Sequence, residues 1–333
     1  MKSLIIAEAG VNHNGDERMA LDLVDAAAAS GADIVKFQTF TGSQLASTHA
    51  PKAAYQLVNT DAAITQVEML TALEMSDWMH QRVISRAQER EIEFLSTAFD
   101  KTNLDYLVEL GIQRIKVPSG EITNLPLLRH IGGQGLPVLL STGMANLGEI
   151  EAAIDVLGLA GTLRENITVL HCTTEYPAPL DEVNLKAMES IRQALSVAVG
   201  YSDHTLGSEV AIAATALGAA VIEKHITLDR TLPGPDHAAS MEPDDFARMV
   251  KSIRSVEEAM GDGIKRPGKR ESLNIPVVRK SLVAKEPIAK GEVFSVENIT
   301  AKRPGTGVSP MKWDEFMGRI AQRNYAIDEL IEW

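Results

Sequence analysis

The chain has 333 residues, 45% hydrophobic and 23% charged, an ordinary globular composition with enough length for one large domain and a small one. Lys and Arg number 32 against 45 Asp and Glu, a formal net charge of −13. That excludes a general attraction to nucleic acid or an anionic membrane, but not a local pocket for a small anion.

A single cysteine, Cys172, excludes an internal disulfide and fits a reducing compartment. The first residues turn acidic too early for a signal peptide. No apolar stretch approaches the roughly 18 residues needed to span a bilayer. The Asn-x-Thr triplets at Asn166 and Asn298 read as chance matches. A cytoplasmic protein is expected.

Short runs rich in Val, Ile and Leu lie at residues 4–9, 33–38, 92–97, 113–118, 137–142, 167–172, 197–202 and 220–225. They lack strict alternation, as expected of strands covered on both faces. Helical spacing follows each, at 18–30, 76–90, 103–110, 125–131, 147–159, 185–195, 208–217 and 244–260. Asn146 and Glu149 form a capping-box pattern. Gly31, Gly111, Gly218 and Gly261 stand where helix-ending glycines are expected. Eight such units over about 265 residues predict an α/β fold, a (β/α)8 TIM barrel. An open doubly wound sheet is the alternative, but no G-x-G-x-x-G follows the first strand and no P-loop occurs.

The segment 39–75 is too long for an ordinary βα connection. A helix at 62–73 is expected there, in a lid or a subunit contact. Residues 1–262 read as the barrel domain, 263–275 as a polar, basic linker, and 276–333 as a small β-rich or α+β domain with a strand at 281–284.

Barrel enzymes keep their chemistry at the C-terminal strand ends, and all eight ends here are polar. His204 and His225 end neighbouring strands. They suit a shared divalent metal, Mn²⁺-like rather than Mg²⁺, or two buried histidines satisfied by carbonyls. Asp203 and Asp236 could orient them or ligate through water. Lys116 with Ser119, Ser141 and Ser202 suits a small phosphate or carboxylate. A Schiff-base lysine and a surface lysine are the competing readings. Lys224 alternates with His225 and should point out of the barrel. Glu8, Glu121 and Glu223 are candidate acid/base groups, or plain partners of Lys36 and Lys116. Cys172 and His171 are adjacent on a strand and face opposite sides, so Cys172 reads as core packing.

Several longer motifs carry a resemblance. They are Ala7-Glu8-Ala9-Gly10-Val11-Asn12-His13-Asn14-Gly15, Lys36-Phe37-Gln38-Thr39, Lys116-Val117-Pro118-Ser119-Gly120-Glu121, Leu140-Ser141-Thr142-Gly143-Met144, His171-Cys172-Thr173-Thr174-Glu175-Tyr176-Pro177, Gly200-Tyr201-Ser202-Asp203-His204-Thr205, Glu223-Lys224-His225 and Gly234-Pro235-Asp236. Together they resemble the sialic acid synthase family, the N-acetylneuraminate synthases and their legionaminate relatives. The tail with Lys302-Arg303-Pro304-Gly305-Thr306-Gly307 is similar to that family's antifreeze-like SAF domain, a β-clip fold.

The resemblance implies an enzyme that condenses phosphoenolpyruvate with an N-acetylmannosamine-type sugar, giving N-acetylneuraminate or legionaminate plus phosphate. It implies a divalent metal on His204 and His225, most often Mn²⁺, with Mg²⁺ or Co²⁺ as alternatives. Lys36, Thr97, Lys116, Ser119, Ser141 and Ser202 would surround phosphoenolpyruvate. Gln38, Glu121, Tyr176 and Asp236 would face the sugar, with Glu8 or Glu121 handling protons. Thr174 stands where many sialate synthases have Asn, which points to the legionaminate branch. The family works as a domain-swapped homodimer, so Arg303 would meet the sugar across the interface. The rivals are a lysine-dependent pyruvate aldolase, a synthase acting on a phosphorylated aldose, and a carbohydrate- or ice-binding module on an inert barrel.

Overall fold

Eight parallel strands close on themselves: β1 Leu4–Gly10, β2 Ile34–Thr39, β3 Glu93–Ala98, β4 Ile115–Val117, β5 Val138–Ser141, β6 Ile167–Cys172, β7 Ala198–Asp203 and β8 Val221–His225. The computed structural model describes residues 2–61 and 63–333. The ring is shut by β8 lying along β1, from Leu4 beside Val221 to Glu8 beside His225. This is the expected TIM barrel, and the doubly wound alternative is set aside. The chain forms two compact units, Met1–Gly261 and Asp262–Trp333.

The strand register explains the active end of the barrel. Side chains alternate faces along a strand, and inward positions stack in layers. Ile6, Ile34, Leu95, Leu139, Leu170 and Val221 form one buried apolar cluster inside the barrel. Nearer the C-terminal end, the inward residue is polar on seven of the eight strands, Glu8, Lys36, Thr97, Lys116, Ser141, Ser202 and Glu223, all buried, while on β6 it is Cys172. A dry plug therefore floors a polar cup. Gly200 keeps the plug tight, because a Cβ there would lie 2.5 Å from the Val221 carbonyl and 2.6 Å from Leu170.

Outward-facing strand residues pack against the helix ring in the main core. Helix Glu17–Ala29 is typical: Asp16 caps it by accepting from the Met19 amide, and Ala20, Leu23, Val24 and Ala27 supply its buried face. The expected box at Asn146 and Glu149 caps helix Leu147–Ala160.

The 39–75 segment differs from expectation. It holds three short helices, Gly42–Leu45, Ala54–Asn59 and Gln66–Ala72. The expected helix begins later than residue 62 because Thr65 and Glu68 form a capping box that sets its start; Ala62 itself lies outside the described residues. In the second unit, β9 Ser281–Ala284 pairs antiparallel with β10 Ile299–Lys302, over a core that includes Leu282, Ile288, Phe294, Phe316 and Tyr325. The stretch expected as plain linker contains helix Lys269–Ser272 and runs into helix Ile275–Val278. Among the described residues no helix is long and apolar enough to cross a membrane.

Candidate active site

The polar cup opens into a cavity of about 210 Å³ at the C-terminal ends of the strands. At its base two lysines and two glutamates interlock. Lys36 Nζ lies 2.6 Å from Glu8 Oε2 and 3.7 Å from Glu223 Oε2, and Lys116 Nζ lies 3.3 Å from Glu223 Oε1. Glu223 also accepts from the Ser202 hydroxyl at 2.8 Å. Lys36 donates to Thr97 Oγ1 at 3.1 Å and Lys116 to Ser141 Oγ at 2.7 Å.

Burial and pairing pull these groups apart. Burial opposes ionisation of Glu223, but Lys116 and Lys36 outweigh it and hold the carboxyl at about 2. Burial raises Glu8; Lys36 opposes that rise while the Glu223 carboxylate adds to it. Burial works against the Lys36 ammonium, yet Glu223 and Glu8 overcome it and raise its proton affinity. Burial lowers Lys116, and Glu223 only partly offsets this. Of the two glutamates, Glu8 is thus the one pushed towards its protonated form, and of the two lysines Lys116 is the one in which burial prevails against the charged form.

Glycines set the walls. At Gly10 the chain adopts φ +52°, and the β1–β2 register shifts between Glu8 and Gly10, which aims Glu8 Oε1 at Gln38 Nε2, 3.1 Å away. The Gly143 amide donates to Ser119 Oγ at 2.9 Å. A Cβ at Gly143 would come within 2.0 Å of Thr174 Oγ1, so only glycine lets these two hydroxyls approach.

Opposite the lysines, the His204 and His225 rings stand 5.5 Å apart, centroid to centroid, at 65°. The Tyr176 ring lies 4.1 Å from His204. His204 Nδ1 faces the Thr173 carbonyl at 2.6 Å; a carbonyl can only accept, so Nδ1 carries the proton and Nε2 keeps a lone pair. Burial lowers His204 to about 4 and pushes His225 well below its usual range. Both rings are therefore neutral at pH 7, the form a metal requires. His225 Nδ1 is buried with no hydrogen-bond partner, and Asp236 Oδ2 stands 3.9 Å from it. Burial, helped by Glu8, raises Asp236 to about 7.

Among the described residues no three or more His, Cys, Asp or Glu gather into a metal cage. An orphaned imidazole nitrogen beside a second neutral imidazole nevertheless fits a divalent ion whose other positions go to water and substrate oxygens. That donor set favours Mn²⁺ or Co²⁺ over Mg²⁺.

Most sequence candidates meet in this one cavity. Glu8, Lys36, Gln38, Thr97, Lys116, Ser119, Ser141, Thr174, Tyr176, Ser202, His204, His225 and Asp236 all line it. Glu121 does not: it sits in the turn Ser119–Glu121 and accepts from Asn124 Nδ2 at 2.6 Å. Arg303 belongs to the second unit, where its Nε donates to the Val278 carbonyl at 3.0 Å. Lys224 points outward, as expected, and meets Asp203 at 2.8 Å, which takes Asp203 out of the cavity too. Cys172 is buried, as expected of a core cysteine, and it also borders the cavity, 3.3 Å from Ser119 Oγ, because it shares the inward face with Leu170. Tyr55, from the 39–75 segment, also lines the cavity, its ring 5.1 Å from Tyr176; nothing in its local sequence singles it out.

A closed barrel whose mouth joins paired lysines, clustered hydroxyls and two neutral imidazoles defines a barrel enzyme built around a small anion. Comparison with known proteins narrows the class. A NeuB family model matches residues 23–265 and a SAF domain model residues 279–333. An N,N'-diacetyllegionaminic acid synthase of Campylobacter jejuni is 55% identical over 330 residues, covering 99% of both chains. Its counterpart in Legionella pneumophila is 44% identical, covering 100% of this chain and 94% of that one. The crystal structure of an N-acetylneuraminic acid synthetase from Leptospira borgpetersenii, in complex with citrate, superposes with a TM-score of 0.73 at 33% identity, covering 83% of this chain and 90% of that one. The chain belongs to the NeuB family and ends in a SAF domain.

Proposed function

We propose that this protein condenses phosphoenolpyruvate with the open-chain form of an acetamido-mannose-type sugar, releasing phosphate and a nonulosonic acid, and that the acceptor is 2,4-diacetamido-2,4,6-trideoxymannose. The observation that carries the reading is the pairing, in one cavity, of a lysine–hydroxyl cup with two neutral imidazoles. The relatives named as diacetyllegionaminic acid synthases support the choice of sugar.

Lys116, Lys36, Ser119, Ser141, Thr97 and Ser202 hold the phosphate and carboxylate of phosphoenolpyruvate. Charge-assisted donors around an anion are the strong kind, and the dry floor beneath them keeps them from being screened. Gln38, Thr174, Tyr176 and Asp236 hold and orient the sugar. C3 of the enol phosphate attacks the aldehyde carbon, forming the new C–C bond while the aldehyde oxygen takes a proton. Water adds to C2 and the C2–O bond to phosphate breaks to leave the C2 ketone; of the two water protons, one balances the proton taken by the aldehyde oxygen and the other leaves with the phosphate. Glu8, whose proton affinity burial raises against the opposing pull of Lys36, is the group assigned to handle the proton taken by the aldehyde oxygen; Glu121, outside the cavity wall, is not assigned this role. A divalent ion held by His204 and His225, Mn²⁺ by its donor set, would polarise the aldehyde as a Lewis acid.

No lysine Schiff base is needed. Incubation with phosphoenolpyruvate and the diacetamido sugar is expected to release one phosphate per sugar consumed. Borohydride trapping of a covalent pyruvate adduct on a lysine would replace this scheme with the aldolase reading.

We place the reaction in the cytoplasm, in a homodimer whose SAF unit from one copy covers the mouth of the other, bringing Arg303 of the partner subunit to the sugar. Arg303→Ala is then expected to raise the KM of the sugar about tenfold, a loss of the size of one polar contact, with little change for phosphoenolpyruvate. Equal weakening of both substrates removes the capping role.

A further inference from the structure

We propose that the 39–75 insertion is the specificity element of the acceptor site, an uncharged wall that selects a sugar bearing a second acetamido group and a deoxy methyl group over hydroxylated or phosphorylated sugars. This rests on the synthase reading above.

The insertion contributes Tyr55, Gln56, Met69, Leu70 and Leu73 to the cavity lining, and none of them carries a charge. Among the described residues the only lysines or arginines lining the cavity are Lys36 and Lys116, both sunk in the cup and tied to Glu8 and Glu223. No arginine lines the cavity among the described residues. A phosphate set against the insertion wall would therefore meet no cation of that wall and would be desolvated there at a large cost; Arg303 of the partner subunit, proposed above, would come from the other copy and is no part of this wall. A methyl or acetyl group would instead gain apolar contact there.

The wall is built, not incidental. Met69, Leu70 and Leu73 bury against Val11 and Phe40 in a core of their own. Glu74 accepts from the Gly42 amide at 2.6 Å, tying the first insertion helix to the end of the third. The middle helix is pinned separately: Asn59 Nδ2 donates to the Pro235 carbonyl at 3.1 Å, next to Asp236. Tyr55, on that helix, stands against Tyr176. The apolar wall and the polar sugar contacts are thus fastened to each other, and a sugar that fills one engages the other.

The test is phosphate release from phosphoenolpyruvate with three acceptors in parallel: 2,4-diacetamido-2,4,6-trideoxymannose, N-acetylmannosamine and N-acetylmannosamine 6-phosphate. The protein is expected to favour the first over the second by at least tenfold in kcat/KM and to leave the third unused. Met69→Gln and Tyr55→Ala are each expected to shrink the first-to-second ratio at least fivefold while the KM of phosphoenolpyruvate stays within twofold. Met69 is buried and its variant could unfold the insertion; Tyr55 is only half-buried, so its variant keeps the test open. If both variants slow the two sugars by the same factor, the inference falls while the synthase reading stands; if the native protein prefers either rival sugar, the inference and the acceptor named above fall together, and only the condensation with phosphoenolpyruvate stands. Release with none of the three overturns the synthase reading and the inference with it.

Discussion

Glu223→Gln is expected to cost the fold about 3 kcal/mol at pH 7, the size of a two- to three-unit shift in a carboxyl. The glutamine has the shape of the glutamate but not its charge, so it leaves Lys36 and Lys116 facing each other with Glu8 as their one remaining anion. Removing one member of a buried ion network strands the others without water to replace it. The sign with pH follows from the carboxyl sitting at about 2 in the fold against an ordinary 4.5. A depressed carboxyl contributes stability above its unfolded value and loses it as pH falls through the folded one. The gap between native protein and variant should therefore be full at pH 7 and close between about 4.5 and 2. Urea unfolding at a series of pH values reads it directly. A variant as stable as the native chain at pH 7 would mean that desolvation cancels the whole network.

This network also marks where sequence reading stops. The barrel was legible because its strands are buried on both faces: Ile6 and Leu170 fill the inner plug while Ile5 and Val169 face the helices, so the runs read as unbroken apolar stretches. The strand-end residues were legible for the same geometric reason, since inward parity is fixed once a strand is placed. Glu223 could be named as a carboxylate at a strand end, but not as the hinge between lysines of β2 and β4. That needs the ring to close and the register of β7 against β8 to be set, Ser202 beside Glu223. The burial of Cys172 was legible, but its place on the cavity wall was not, because its neighbour Gly143, which clears room for that wall, is close only in space. The insertion helices have four to seven residues, too short for a 3.6-residue period to show, and their wall is assembled by contacts with Val11 and Pro235 from distant loops.

His204→Ala should abolish turnover and lower Mn²⁺ affinity at least 10- to 100-fold, the range already lost when only an outer-shell partner of a metal ligand is removed. The ring is held at two points, by the Thr173 carbonyl on Nδ1 and by the Tyr176 face. It is neutral at pH 7 because burial lowers it to about 4, so its Nε2 lone pair is oriented and meets only a long 3.5 Å contact from Ser202 Oγ, whose proton goes to Glu223. With alanine there, His225 is the sole imidazole on that side of the mouth, and no third His, Cys, Asp or Glu among the described residues completes a cage. Most of the lysine–hydroxyl cup is untouched, since Lys116 and Ser141 make their bond without His204 and Ser202, which loses its 3.5 Å contact with the ring, keeps its bond to Glu223. Phosphoenolpyruvate should therefore bind the variant within about threefold of its native affinity, well inside the 1.4 kcal/mol that makes a tenfold change. Mn²⁺ titration followed by electron paramagnetic resonance, alongside calorimetry with phosphoenolpyruvate, separates the two effects. Native Mn²⁺ affinity in the variant would remove His204 from the metal site, and loss of phosphoenolpyruvate binding would show that the cup and the imidazoles are one unit rather than two.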